Sequence, residues 1–285
     1  MINKLKQSLL LERGTIYDPY KNKKINGSIL IQNGLVKEVG DIASPKNVTK
    51  VNCRGKLISP GFIDIHAHFR EPGREDKETL STGARAAISG GYTRVCVMPN
   101  TDPPLDSPES IRFILEKSVD LPVKIFPIGA ITVGQLGIEL TEIGEMVKAG
   151  AVAISDDGLP VQNGQVLRNA LEYAQKYAIP VINHAEDIHL RNDGVMNEST
   201  LSTRLGLPGN PDISESVMVH RDLEVADYTG GRIHVPHVST KRSVDLIRKY
   251  KKMGVNVTAE VTPHHIGLTE ERLREYDTFA KVSPP

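Results

Sequence analysis

Asp64-Ile65-His66-Ala67-His68-Phe69-Arg70-Glu71-Pro72-Gly73 closes an apolar run that begins at Gly61. Residues two apart in a strand point to the same face, so His66 and His68 can converge on one ion, and imidazole suits zinc and its neighbours. Outward from this stretch, apolar runs at 61–66, 93–98, 123–128, 151–155, 180–185, 232–238 and 255–261 alternate with helical patterns at 77–89, 107–117, 141–149, 166–177, 215–229 and 239–253. That alternation is the signature of βα units around a parallel sheet. An open doubly wound sheet has the same texture. What favours a barrel is the recurrence of histidines, aspartates and Asn100 at the C-terminal ends of successive strands, where barrel enzymes place their chemistry. The expected fold is an α/β (β/α)8 barrel of the TIM type, lacking its last βα unit, over residues 56–285.

Upstream, residues 1–55 give short alternating stretches at 8–16, 28–32 and 35–40, broken at Asp18-Pro19, Asn26-Gly27 and Asn33-Gly34. Those dipeptides supply hairpin turn chemistry, so a small antiparallel β satellite of the sandwich kind is expected. Lysine plus arginine and aspartate plus glutamate both total 35, and this balance points away from a global affinity for nucleic acid or anionic membrane. Cys53 and Cys96 have no CxxC spacing, which predicts neither a disulfide framework nor a cysteine zinc site and suits a cytoplasmic protein. The apolar run at 9–11 is too short for a leader core or a membrane span.

Two later strand ends repeat the histidine theme, Asn183-His184-Ala185-Glu186 and His234-Val235-Pro236-His237. His234 and His237 are three apart and face opposite sides of a regular strand, so one of them is expected inside, and His237 lies nearer the C-terminal end. The fourth strand ends in Ser155-Asp156-Asp157-Gly158. A carboxylate there can bridge two divalent ions, and because adjacent side chains diverge only one of the two aspartates is expected as a ligand. Arg70, two residues past His68, carries a planar fork suited to a carboxylate, and Asn100 can add polar contacts.

In this order the motifs resemble those of the bacterial-type dihydroorotases within the cyclic amidohydrolases. The stretches that carry the resemblance are Gly61-Phe62-Ile63-Asp64 through Gly73, Met98-Pro99-Asn100-Thr101, Asp156-Asp157-Gly158, His184-Ala185-Glu186-Asp187, His237-Val238-Ser239-Thr240 and Glu260-Val261-Thr262-Pro263-His264-His265. The resemblance implies that His66 and His68 hold one Zn2+, His184 and His237 hold a second, and Asp157 bridges them. It implies that Arg70 and Asn100 bind the substrate carboxylate. Related dihydropyrimidinases and allantoinases use a carboxylated lysine at the fourth strand, and this strand end has none.

The implied reaction is the reversible ring opening of dihydroorotate to N-carbamoyl-L-aspartate in pyrimidine biosynthesis. The family's general acid/base, an aspartate ending the eighth strand, is expected beyond Pro285, so this chain alone is expected to turn over poorly. His264 and His265 are expected to pack or to support the site. A homodimer or a complex with aspartate carbamoyltransferase is the expected assembly. The alternatives are an allantoinase- or hydantoinase-like amidohydrolase and a catalytically silent dihydroorotase-like subunit.

Overall fold

A computed structural model of the chain describes residues 8–43 and 45–285. The leader reading falls partly on residues 1–7, outside the described residues. The chain divides into two compact units, Met1–Phe62 and Ile63–Pro285.

In the first unit, β1 (Leu9–Asp18), β2 (Lys23–Gln32), β3 (Leu35–Gly40), β4 (Thr49–Asn52) and β5 (Leu57–Ile58) form one sheet in the order β3-β2-β1-β4, with β5 also on β1. The β1–β2 and β2–β3 pairs are antiparallel, whereas β4 and β5 run parallel to β1. The wholly antiparallel expectation is therefore corrected, because the connection from β3 crosses the sheet to the far side of β1. A sandwich needs a second facing sheet, and the described residues of this unit form a single sheet. Asn33-Gly34 makes the expected two-residue turn with φ of 52° and 76°. Asn26-Gly27 does not turn: it lies inside β2, paired with Thr15 and Gly14 beside a register shift. Gly27 serves there by its missing side chain, since a Cβ would stand 2.8 Å from the Gly40 carbonyl oxygen.

The second unit alternates strands and helices: β6 (Phe62–Ala67), α1 (Leu80–Ser89), β7 (Tyr92–Val97), α2 (Pro108–Lys117), β8 (Lys124–Pro127), α3 (Ile143–Ala149), β9 (Ile154–Ser155), α4 (Gly164–Gln175) and β10 (Val181–Ile182). A run of short pieces follows, α5 (Ile188–Arg191), β11 (Met196–Asn197), α6 (Thr200–Leu205) and β12 (Gly209–Asn210). The unit ends with α7 (Ile213–Thr229), β13 (Ile233–Val235), α8 (Lys241–Met253), β14 (Val257–Ala259) and α9 (Pro263–Gly267). The short pieces were not expected, because two to six residues are too few to display a period. The longer helices start where their caps dictate: Thr79 and Ser107 each close a capping box, and Pro108 occupies the first turn of α2.

The sheets β6-β7-β8 and β9-β10-β13-β14 meet through a parallel bridge between Gly129 and Ile154. Seven strands thus stand side by side in chain order, with the β7–β8, β9–β10, β10–β13 and β13–β14 pairs parallel. Both faces of the central strands β9, β10 and β13 are buried, whereas β6 and β14 are largely exposed. Val95, Ile125, Ile154, Val181 and Ile233 pack with helix residues such as Ile111, Leu167 and Leu223. On the alternate positions Met98, Ile128, Ala153 and Ile182 form a smaller apolar cluster. Two covered faces are what a parallel sheet between helices and an inner layer requires. Among the described residues no helix is long and apolar enough to cross a membrane.

Candidate metal centre

Strand alternation places the chemistry on the face of the smaller apolar cluster. Asp157 shares the parity of Ala153, and His184 that of Ile182, so both continue that face past the strand ends. His66 Nε2 stands 3.5 Å from Asp157 Oδ1, and His68 Nε2 stands 3.5 Å from Asp157 Oδ2. His237 Nε2 and His184 Nδ1 stand 3.6 Å and 3.9 Å from Asp157 Oδ1, and 2.9 Å from each other. Two sets of three result, His66 with His68 and Asp157, and Asp157 with His184 and His237; within each set the ligand atoms lie within 4.8 Å of one another.

Donors bound about 2.1 Å from a tetrahedral ion are separated by about 3.4 Å, so the distances of 3.5–3.9 Å from the imidazoles to Asp157 fit ligation better than direct hydrogen bonding, whereas the 2.9 Å between His184 and His237 is hydrogen-bond length. Asp157 Oδ1 is buried without a hydrogen-bond partner. A bare carboxylate oxygen is costly to bury, and one ringed by imidazole nitrogens is well matched to a cation. Three oxygen- or nitrogen-bearing groups around each position, one of them shared, fit a pair of divalent ions. Of the two aspartates left open by the sequence, Asp157 reaches the histidines. Asp156 is turned aside: its Oδ1 accepts from the Ile131 and Thr132 amides at 2.8 and 3.1 Å, and its Oδ2 accepts from the Thr132 hydroxyl.

The electrostatics follow from this packing. Burial alone would raise the Asp157 carboxyl, but the imidazoles of His237, His66 and His68 hold it well below the usual carboxylate range. Burial lowers His68 and His237, favouring neutral rings with a lone pair to offer. Burial would also lower His66, yet Asp157 and Glu260 outweigh it and raise His66 to about 9.

The expectation that only one of His234 and His237 enters the interior is corrected, because both do. β13 ends at Val235, and after Pro236 the backbone at His237 turns to φ 36°, which swings its ring onto the face that His234 already occupies. Such a φ is unusual for a residue with a Cβ and needs support from its surroundings. Support comes from both sides: the Val238 amide donates to the Glu260 carbonyl at 2.9 Å, and buried Glu215 of α7 accepts from the amides and hydroxyls of Ser239 and Thr240 at 2.7–3.0 Å. His234 itself belongs to neither of the two sets. Its Nδ1 is 2.8 Å from the Thr258 hydroxyl and its Nε2 is 3.4 Å from Glu260 Oε2.

Asn100 touches both a histidine and the shared aspartate: its Oδ1 is 2.9 Å from His68 Nδ1, and its Nδ2 is 3.3 Å from Asp157 Oδ2. Arg70 is half-buried, its positive charge acts on His68, and among the described residues its guanidinium makes no hydrogen bond or ion pair. Two carboxylates escaped the sequence reading. Glu260 Oε1 is 2.5 Å from His66 Nδ1, and Glu186 Oε2 is 3.4 Å from His184 Nε2. Period-two alternation could have found Glu186, two residues past His184, and Glu260, two past Thr258. Burial would raise Glu260, but His234 and His66 bring it down to about 2. His265 lies apart from the cluster, with Nδ1 2.8 Å from the Thr262 hydroxyl and Nε2 3.1 Å from the Pro284 carbonyl. Both His264 and His265 line a cavity of about 420 Å³ that includes Glu186 and Thr240 but none of the residues around Asp157.

Comparison with known proteins fits this geometry. The curated protein "Dihydroorotase" of Pelobacter propionicus is 44% identical over 280 residues, which is 98% of this chain and 66% of that protein. "Dihydroorotase" of Pelotomaculum thermopropionicum is 48% identical over 277 residues, 97% of this chain and 65% of that protein. The chain thus spans just under two thirds of the length of these relatives. In fold it is similar to "L-Hydantoinase (Dihydropyrimidinase) from Arthrobacter aurescens", with a TM-score of 0.82 at 20% identity over 97% of this chain and 63% of that one. A D-hydantoinase crystal structure gives 0.79 at 19% identity over 96% of this chain and 61% of that one. The model of the family described as Dihydro-orotase-like matches residues 55–243, a stretch holding all four histidines and Asp157. This chain belongs to the dihydroorotase-like family.

Proposed function

We propose that the chain carries the metal centre of a dihydroorotase, a hydrolase that opens dihydroorotate reversibly to N-carbamoyl-L-aspartate in pyrimidine biosynthesis. The observation that carries the reading is the meeting of two histidine pairs at one carboxylate, Asp157. The proposed frame is a TIM-type (β/α)8 barrel to which β6–β10, β13 and β14 contribute seven strands, with a β satellite over residues 1–55. Relatives bearing the name dihydroorotase at 44–48% identity support the assignment.

His66 and His68 hold one ion, His184 and His237 the other, and Asp157 joins both. The imidazole-rich set with one carboxylate suits Zn2+. When bound, such ions supply Lewis acidity toward a ring amide carbonyl and ease the deprotonation of water. Asp157, held ionised, gives each half a negative donor. Arg70 offers its unpaired fork to the carboxylate of dihydroorotate. Asn100 gives its oxygen to His68 and its amide nitrogen to Asp157, so it would meet a substrate oxygen in exchange for one of its long contacts to Asp157. The anionic substrate distinguishes this reading from a hydantoinase-like one, in which the ring is neutral and Arg70 has no counter-charge. The free thiols Cys53 and Cys96 suit a reducing cytoplasm.

Metal analysis and dihydroorotate binding test the proposal. Two zinc ions per chain are expected, and Arg70→Met should weaken dihydroorotate binding by about 10- to 100-fold, the loss of a charge-assisted hydrogen-bond pair, with metal content unchanged. A protein that takes up no metal would fit a silent subunit instead. Hydantoin bound as well as dihydroorotate, indifferent to Arg70→Met, would move the substrate to neutral cyclic amides.

A further inference from the structure

We infer that Glu260 and Glu186 are positioning residues, each fixing one histidine of one half of the centre so that the nitrogen away from the carboxylate faces Asp157. This rests on the two-metal reading above. A neutral imidazole has one N–H and one lone pair, and whichever nitrogen donates to a partner leaves the other to ligate. On His66 the carboxylate sits at Nδ1, 2.5 Å away, and the opposite atom, Nε2, is the one 3.5 Å from Asp157. On His184 the pattern is reversed: Glu186 meets Nε2 at 3.4 Å, and Nδ1 turns toward Asp157 and His237. The two carboxylate-paired histidines therefore present opposite ring nitrogens, Nε2 of His66 and Nδ1 of His184, and on each ring the carboxylate stands on the side that makes this the favoured tautomer.

Each carboxylate is itself held. Glu260 faces His234 Nε2 through its second oxygen at 3.4 Å, and its backbone is tied to Val235 and Val238 by hydrogen bonds of 3.1 and 2.9 Å. Glu186 is 3% exposed, accepts from Asn210 Nδ2 at 2.9 Å and faces Arg191 Nη1 at 3.5 Å. Glu260 comes from the end of β14 and Glu186 from the segment after β10, so the halves are supported independently.

The test is a metal titration by chelator competition on wild type, Glu260→Gln and Glu186→Gln, repeated with Co2+ to read its absorption spectrum. His184→Ala and His68→Ala backgrounds assign each ion to its half, and melting in chelator follows folding. Glutamine keeps the size and removes the charge. Glu260→Gln should weaken the ion of His66 and His68 by about 10- to 100-fold and alter its Co2+ spectrum while sparing the other ion, and Glu186→Gln should do the reverse. Where a glutamine variant does not fold, the aspartate variant, which withdraws the carboxylate by one methylene, takes the same readout. Two ions bound by wild type with unchanged affinities and spectra in both variants, or with both ions weakened alike, overturns the inference and leaves the metal centre standing. No ion bound by wild type removes the metal reading itself.

Discussion

Adding one methyl group at Gly73 separates two causes of strain that usually arrive together. Gly73 has φ 88° in the loop after β6, and a Cβ there would collide with the Asp102 carbonyl oxygen and lie 2.7 Å from Asp102 C and Cβ. Most of these are backbone atoms, which cannot swing away as a side-chain tip can. The left-handed backbone costs about 1–2 kcal/mol for a residue with a Cβ. Overpacking adds about 1–3 kcal/mol. Losing the 3.0 Å hydrogen bond from the Asp102 amide to the Pro72 carbonyl adds about 1 kcal/mol. Gly73→Ala should therefore cost roughly 3–6 kcal/mol. Gly254 at the end of α8 has φ 97° but no neighbour within 4 Å, so Gly254→Ala isolates the backbone part, about 1–2 kcal/mol. Urea unfolding of the two variants gives the comparison. Gly73 follows Arg70 by three positions and Asp102 follows Asn100 by two, so dihydroorotate binding should weaken in Gly73→Ala. His66 and His68 precede the lesion, and zinc content should hold. Equal destabilisation in the two variants would refute the contact argument.

Three further outcomes are expected. Asp157→Ala should abolish uptake of both ions in metal analysis, whereas Asp156→Ala should retain them and cost about 2–4 kcal/mol by stranding the Ile131 amide and the amide and hydroxyl of Thr132; equal metal loss would break the assignment of the two aspartates. In chelator, His66 with its pKa raised from 6.5 to about 9 lends stability that is complete below about pH 6.5 and lost as pH rises through about 9, at most about 3 kcal/mol, so urea unfolding that shows no loss between those values counts against the buried His66–Asp157–Glu260 contacts. Leu167→Ala, at a fully buried position of α4 packed in the larger cluster, should cost about 2–5 kcal/mol without changing metal affinity, and a change in affinity would show that the helix layer and the centre are coupled there.

The βα rhythm was legible because the seven side-by-side strands and the helices α1–α4, α7 and α8 lie in segments long enough to show their own period. The two-residue ladders of β9 and β10 were read longer, since apolar content persists where hydrogen-bonded pairing has already stopped. His66, His68 and His184 obey simple alternation and could be placed from sequence. His237 was reached by its place at the strand end and by the resemblance and not by alternation, because Pro236 and a positive φ reset the side-chain direction, and alternation holds only while the strand does. Asn26-Gly27 misled for a related reason: glycine marks a tight turn and a close backbone approach with the same letter. Alternation is enough to put Glu186 and Glu260 on the face of the site, but not to give them a role. Their meaning depends on which imidazole nitrogen they meet, a fact of three-dimensional placement.

Glu215 gives the outer helix layer a handle on the interior. Its four hydrogen bonds grip Ser239 and Thr240, two and three residues past His237, whose backbone is bent away from its resting shape and is anchored already at Val238 by Glu260. A joint tethered at both ends moves only as its tethers move. A small rotation of α7 is consequently transmitted to the imidazole of His237 as a change of aim, so alterations on the solvent side of that helix, which touch nothing near Asp157, have a mechanical route to the heart of the molecule.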